Sequence, residues 1–294
     1  MNAVRKRQED LLPDRLKATW QVVEAKQITA EEFDQRQIQW LREYREIWNR
    51  ALRFGPQAEL TESLISELAL FTGDDSSEIE QRCRRTVGLF DDQWSLPASE
   101  TDLGESDQIQ HEHELYDLMW WHTLNDDDSP LGYVTALDFA QRNGCHHYLD
   151  FGAGVGAGAI LFAQHGFDVE VADLSWFLLA FSEWRMEKRQ LPGRFVDLNE
   201  SPLPDRAFDF ITAMDGLEHL ADPTGVIADL DRSLKAGGYL FGQFQTGELE
   251  LNQELPPHQA PGLSPAIEHL QRLGFVEVWR DEWLWGHQAF QKQR

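Results

Sequence analysis

Cysteine is almost missing: Cys83 and Cys145 are the two in 294 residues, and neither sits in a CxxC or Cys/His spacing. That excludes a disulfide framework and a cysteine-ligated metal site, leaving two reduced, buried thiols as the expectation. Long apolar runs are missing too. The longest, Trp176-Phe177-Leu178-Leu179-Ala180-Phe181, is far too short to cross a bilayer. Residues 1–10 carry Arg and Lys without an apolar segment, so no signal peptide is read and the expected location is the cytoplasm. Lysine is scarce, six residues beside twenty arginines, and positive charge is outweighed throughout: 51 acids face 26 bases, a net charge of −25. The acid is densest from Phe54 to Pro130, with nineteen Asp/Glu against three Arg. Such a field repels phosphate backbones and argues against a nucleic-acid substrate. An acidic, lysine-poor surface fits a high-salt cytoplasm, where screening removes self-repulsion; a GC-rich coding sequence would also favour Arg over Lys.

What is present divides at about residue 130. Before it the texture is helical. Phe33, Trp40, Leu41, Tyr44, Ile47, Trp48 and Ala51 recur at three- and four-residue steps, Leu60, Leu64, Leu68 and Phe71 form a second stripe closed by Gly73, and Asp74–Ser77 offer caps for a third helix. A Pro-, Ser-, Gly- and acid-rich stretch from Ser95 to Asp107 reads as a linker, followed by a helix carrying Leu115, Leu118, Met119 and His122. After Pro130 strands and helices alternate, the pattern of a parallel sheet covered on both faces. Strands are expected at His147–Phe151, Val169–Ala172, Arg194–Val196, Phe208–Ala213, Tyr239–Phe244, Phe275–Trp279 and Leu284–Gln291. The fold expected is thus α/β: a doubly wound, mostly parallel seven-stranded sheet with an antiparallel last hairpin strand, preceded by an all-helical region. The division expected is 1–130 and 131–294.

The chemistry-bearing residues gather at the ends of these strands. Asp150-Phe151-Gly152-Ala153-Gly154-Val155-Gly156 runs from a buried strand into a glycine turn, where missing Cβ atoms let a ligand lie against the main chain. Alone it also passes as a dinucleotide fingerprint. The second strand ends in Asp173, placed to accept from ribose hydroxyls, and the third in Asp197-Leu198. The alternative for Asp197 is a helix cap or a solvated loop acid.

In this order of motifs the last 160 or so residues resemble the class I S-adenosylmethionine (SAM)-dependent methyltransferases. The fourth-strand motif matches Phe208 to Leu220, and Leu234-Lys235-Ala236-Gly237-Gly238 matches the turn before the fifth strand, with Ala236 where Pro is usual. The resemblance implies that SAM is bound and S-adenosylhomocysteine released. It implies that Asp150 holds the methionine amino group, that Gly152, Ala153 and Gly154 line the methionine and ribose, and that Asp173 takes the ribose hydroxyls. Leu174 would pack on adenine, Asp197 and Leu198 lie at its edge, and Met214 face the methionine end.

The acceptor side is less determined. Asp215, Glu218 and His219 follow the fourth strand, and His219 is the leading general base, with Asp215 beside it. The same cluster is similar to one that binds a divalent ion in some quinone-biosynthesis O-methyltransferases, but it is widespread among metal-free relatives, so no metal is assigned. His111 and His113 do not form a metal site either, since two residues on a helix are turned about 200° apart. Tyr116, Trp120 and His122 could roof an acceptor pocket or glue the helices to the sheet, and Gln245 and His258 lie in the Pro-bearing stretch after the fifth strand. The function expected is methyl transfer to O, N or C of a small-molecule metabolite. A protein or carrier-bound substrate, or a non-catalytic SAM-binding protein, remains the alternative. Oligomeric state cannot be read from the sequence.

Overall fold

A computed structural model describes residues 11–56, 59–90, 116–117, 119–124, 130–214, 223–244 and 265–294. Its centre is a seven-stranded sheet of order β3-β2-β1-β4-β5-β7-β6. The strands are β1 (His147–Phe151), β2 (Asp168–Asp173), β3 (Arg194–Asp197), β4 (Phe208–Ala213), β5 (Leu234–Gly242), β6 (Phe275–Arg280) and β7 (Gln288–Lys292). β1 to β5 pair in parallel, and β7 runs antiparallel between β5 and β6. The chain order reverses direction at β1/β4, the switch point beyond which open sheets of this kind bind ligands.

The helices are α1 (Leu12–Glu24), α2 (Ala30–Leu52), α3 (Leu60–Thr72), α4 (Ser76–Phe90), α5 (Leu131–Arg142), α6 (Ala157–Gln164), α7 (Trp176–Lys188), α8 (Pro223–Ser233) and α9 (Pro265–Arg272). Their starts follow from local chemistry. Thr29 and Glu32 form a reciprocal capping box at α2, and the Asp75 carboxylate accepts from the Ser77 amide at 2.8 Å at the start of α4. Two cores result. One packs Leu149, Ile211, Leu240 and Phe290 of the sheet against Ile227 of α8 and Ile267 of α9. The other packs Tyr148, Val171, Phe210 and Phe241 against α5, α6 and α7 and continues without a break into Leu16, Trp48, Leu64 and Leu68 of the N-terminal helices.

The N-terminal helices are therefore fastened to the α/β unit. Gln164 of α6 donates to the Ala51 carbonyl at 2.8 Å, Tyr44 to Asp138 of α5 at 3.2 Å, and Trp279 of β6 to Asp14 of α1 at 3.0 Å. Trp48 stacks on Tyr133, while Trp20 and Phe33 close around Trp283.

Two strand starts differ from the sequence reading by four residues or more. β5 starts at Leu234, through the stretch read as a turn, because Leu234 pairs with Phe208 before an irregularity resumes the ladder at Tyr239 and Phe210. β7 starts at Gln288 and not Leu284. Residues 283–285 are drawn into a turn by the Asp281 carboxylate, which accepts the amides of Trp283, Leu284 and Trp285 at 2.8–2.9 Å. A third element, α1, carries Leu12, Leu16 and Thr19 on its buried side; its stripe is short enough to escape a periodicity argument. The expected linker from Ser95 to Asp107 lies outside the described residues.

Candidate functional site

β1 delivers the glycine turn to the carboxyl edge of the sheet. Gly152, Gly154 and Gly156 all have positive φ, of 66°, 53° and 71°, a region side chains with a Cβ adopt only under strain. A Cβ built on Gly152 or Gly154 would meet nothing within 4 Å, whereas one on Gly156 would lie 2.8 Å from the Ser182 hydroxyl. The first two glycines thus border open space and the third is pressed against α7. The turn is held from three sides. The Gly152 amide donates to the Ala172 carbonyl at 2.9 Å, the Gly154 amide to Asp173 Oδ2 at 2.8 Å, and Ser182 donates to the Gly154 carbonyl at 3.0 Å.

The acids line up on adjacent strand ends. Asp173 and Asp197 are register partners at the ends of β2 and β3. Asp173 is half-buried, and its Oδ1 accepts the Ser175 amide at 2.9 Å. A carboxylate offers about four acceptor positions, more than these two amides fill. Leu174, next in the chain, is 51% exposed, an apolar surface beside the acids. Asp197 Oδ1 accepts the amide and side chain of Asn199 at 2.8 and 3.0 Å, so this acid also organises its own turn. Asn199 in addition donates to the Leu174 carbonyl at 2.6 Å, and the Leu198 amide to the Asp173 carbonyl at 3.0 Å.

Asp150 is sealed beneath the turn. Its Oδ1 accepts from Thr212 of β4 at 3.1 Å, and Tyr148 lies 2.6 Å from the same hydroxyl. With Asp150 ionised the order of donation is Tyr148 to Thr212 to Asp150, since one hydroxyl has one proton to give. Asp150 Oδ2 has no hydrogen-bond partner among the described residues. Burial pushes the Asp150 carboxyl up to about 7, against the opposing pull of Tyr148, Thr212 and the Ala159 amide. A cationic ammonium is the group such a buried, half-satisfied carboxyl would best accommodate.

Met214 is buried directly after β4. The structure therefore brings Asp150, Gly152, Ala153, Gly154, Asp173, Leu174, Asp197, Leu198 and Met214 to the carboxyl ends of four neighbouring strands. Asp215, His219, Gln245 and His258 lie outside the described residues. Tyr116 and Trp120 are buried, 7% exposed each. Tyr116 meets Phe71 and Phe181 at centroid distances of 5.1 Å each, and Trp120 lies under the Arg84 guanidinium. His122 is half-buried against Trp121. Sequence reasoning missed Thr212, Ser182 and Asn199. Thr212 was the accessible one, because β1 and β4 are adjacent and its register partner is Asp150; nothing in the sequence flagged Ser182.

A family model described as a methyltransferase domain matches residues 123–285, more than half of the chain. The chain belongs to the class I SAM-dependent methyltransferases. Among similar proteins, the ubiquinone biosynthesis O-methyltransferase of Coxiella burnetii is 34% identical over 97 residues, 32% of this chain and 42% of that protein. The demethylmenaquinone methyltransferase of Renibacterium salmoninarum is 29% identical over 147 residues, 46% and 60% of the two chains. Phosphoethanolamine N-methyltransferase 2 of Caenorhabditis elegans is 24% identical over 263 residues, 83% of this chain and 59% of that protein. The chain thus spans less than two thirds of the length of each relative. For a class I methyltransferase the residues fit the cofactor: a main-chain cradle open at Gly152 and Gly154, an acid pair on neighbouring strand ends, and exposed Leu174 beside it.

Proposed function

We propose that this protein binds SAM at the glycine turn and transfers its methyl group to O, N or C of a small-molecule acceptor. The observation that carries the reading is the open cradle at Gly152 and Gly154 flanked by Asp173 and Asp197 on successive strand ends. The names of the relatives support methyl transfer, and because they span O- and N-methylation they leave the acceptor atom open. In this reading Asp150 holds the methionine ammonium, Asp173 the ribose hydroxyls, Leu174 and Leu198 the adenine faces and Asp197 its amino edge. Residues 131–294 form the SAM-binding domain, with 1–130 as a helical extension over it. The setting is the cytoplasm, which suits two buried free thiols.

Bound SAM supplies a methyl carbon already activated by its sulfonium. The chain's part is alignment and, for a weakly nucleophilic acceptor, a base. We assign the base to His219, six residues beyond the end of β4, with Asp215 in support. His219→Ala should then lower turnover by about 10²–10⁴-fold with SAM affinity nearly unchanged, and parent activity should rise with pH through a group titrating near neutrality. Unchanged turnover per folded molecule would remove His219 from the mechanism. The test of the whole reading is calorimetry with SAM, S-adenosylhomocysteine and NAD, followed by incubation with SAM and a metabolite library while S-adenosylhomocysteine is monitored. Heat with NAD alone would overturn it.

A further inference from the structure

The glycine turn is also held from the far side of the helical layer. Glu67 of α3 and Arg185 of α7 are both fully buried and paired, Nε to Oε1 at 3.1 Å. Arg189, one turn further along α7, gives its guanidinium to the same carboxylate and donates to the Leu52 carbonyl of α2 at 2.8 Å. The other end of Arg185 reaches the cofactor site, where Nη1 donates to the Val155 carbonyl inside the glycine turn. Ser182, one turn earlier, donates to the Gly154 carbonyl. Two consecutive carbonyls of the turn are thus held by α7, and the guanidinium holding one of them is oriented by a carboxylate from the N-terminal helices.

As a source of stability this arrangement is poor. Desolvation of a buried pair offsets its attraction, and apolar residues of similar volume commonly serve as well or better. As a positioning device it answers a specific need. The turn contains three glycines of positive φ, and such a segment has many alternative conformations unless its polar groups are fixed. Burial drives the Glu67 carboxyl upward, but the two guanidiniums overcome this and hold it below the ordinary carboxylate range, so it stays ionised and keeps the fork of Arg185 aimed.

We propose that Glu67 is a positioning residue of the cofactor site: it orients Arg185, which fixes the Val155 carbonyl and with it the cradle. The inference rests on the glycine turn being the SAM site. It makes the N-terminal helices a contributor to cofactor affinity as well as a cover.

The full-length protein tests this with Glu67→Gln and Arg185→Met, set against Leu64→Ala, an apolar truncation in the same helix at a fully buried position. Two quantities are read: amide hydrogen exchange over residues 152–157 without ligand, and S-adenosylhomocysteine affinity by calorimetry. Both charge variants should speed exchange in the turn and weaken the ligand about tenfold, whereas Leu64→Ala should leave both near the parent at a similar loss of melting temperature. Glu67→Leu combined with Arg185→Met and Arg189→Met, which removes all three buried charges together, should recover melting temperature without recovering affinity. If Glu67→Gln does not fold, Arg185→Lys serves in its place, since it keeps the charge but loses the planar fork. Unchanged turn exchange in the charge variants, or effects no larger than those of Leu64→Ala at equal stability, overturns the proposal. Failure of the parent to bind S-adenosylhomocysteine would instead overturn the assigned function, and the exchange experiment would still decide the role of Glu67.

Discussion

Asp150 and Asp173 end neighbouring strands in opposite environments, one sealed and one half-open, and they should respond differently to substitution. Asp150 titrates at about 7 in the fold against an ordinary 3.8, chiefly because burial penalises its charge. A carboxyl whose folded pKa is raised supports the fold fully below its unfolded value and loses that support as pH climbs to the folded one. The melting temperature of the parent relative to Asp150→Asn should therefore fall between pH 4 and 7 and level off above; parallel curves would show that burial is not what controls this group. An ammonium bound beside Asp150 would draw off its proton, so calorimetric enthalpies near pH 6 should vary with the ionisation enthalpy of the buffer. Asp173→Ala should weaken S-adenosylhomocysteine by about 1.5–3 kcal/mol, through lost hydroxyl acceptors and a loosened Gly154 amide. Full affinity in a folded variant would mean that the ribose lies elsewhere. Both acids were legible in the sequence, because strand ends in this fold are where ligands bind. The seal over Asp150 was missed, because finding it requires the register of β1 against β4, which sets Thr212 opposite Asp150.

At the scale of elements the glycine turn and α7 act as one unit, and close packing at Gly156 is what joins them. Gly156→Ala asks for a positive φ of 71° and puts a Cβ 2.8 Å from the Ser182 hydroxyl. The combined strain should cost about 2–4 kcal/mol of stability and displace Ser182 from the Gly154 carbonyl, so ligand affinity should fall as well. Gly166→Ala is the matched comparison: φ is also positive, at 84°, but nothing lies within 4 Å. It should cost only about 1 kcal/mol and leave the ligand alone. Thermal melts and titrations of the two variants separate strain from packing, and equal losses of affinity would deny the turn–helix link. Sequence located β1 and β4 to the residue because buried strands and the punctuation around them are local signals. It misplaced the starts of β5 and β7, since those depend on the partner at Phe208 and on three amides gathered by Asp281. Tyr116 and Trp120 were ambiguous for the same reason. An aromatic stripe announces burial without naming what buries it, and here that is Phe71, Phe181 and Arg84.

For the whole molecule the governing quantity is a net charge of −25, and it yields a prediction whose sign needs argument. Salt weakens attraction and repulsion alike, so the outcome depends on which is more exposed. The exposed ion pairs, such as Arg84 with Glu80 and Arg232 with Asp229, are of the kind that contributes little. The buried Glu67 pair is shielded from ions and should hardly change. Against these stands the excess of acid over the whole chain, 51 carboxylates to 26 bases, whose mutual repulsion salt screens. Raising ionic strength from about 0.1 M to 1 M shortens the screening length from about 10 Å to 3 Å, so repulsion should be relieved more than attraction is lost. The melting temperature should climb by about 2–3 °C in potassium chloride, the shift that about 1–2 kcal/mol produces in a chain of this size. Preferential exclusion of salt would also raise it, but that effect grows with sulfate and does not saturate. Screening instead should level off by about 1 M and be matched by chloride and sulfate at equal ionic strength. A melting temperature that is flat or falls in chloride would mean that the acids are already neutralised by partners in the folded protein.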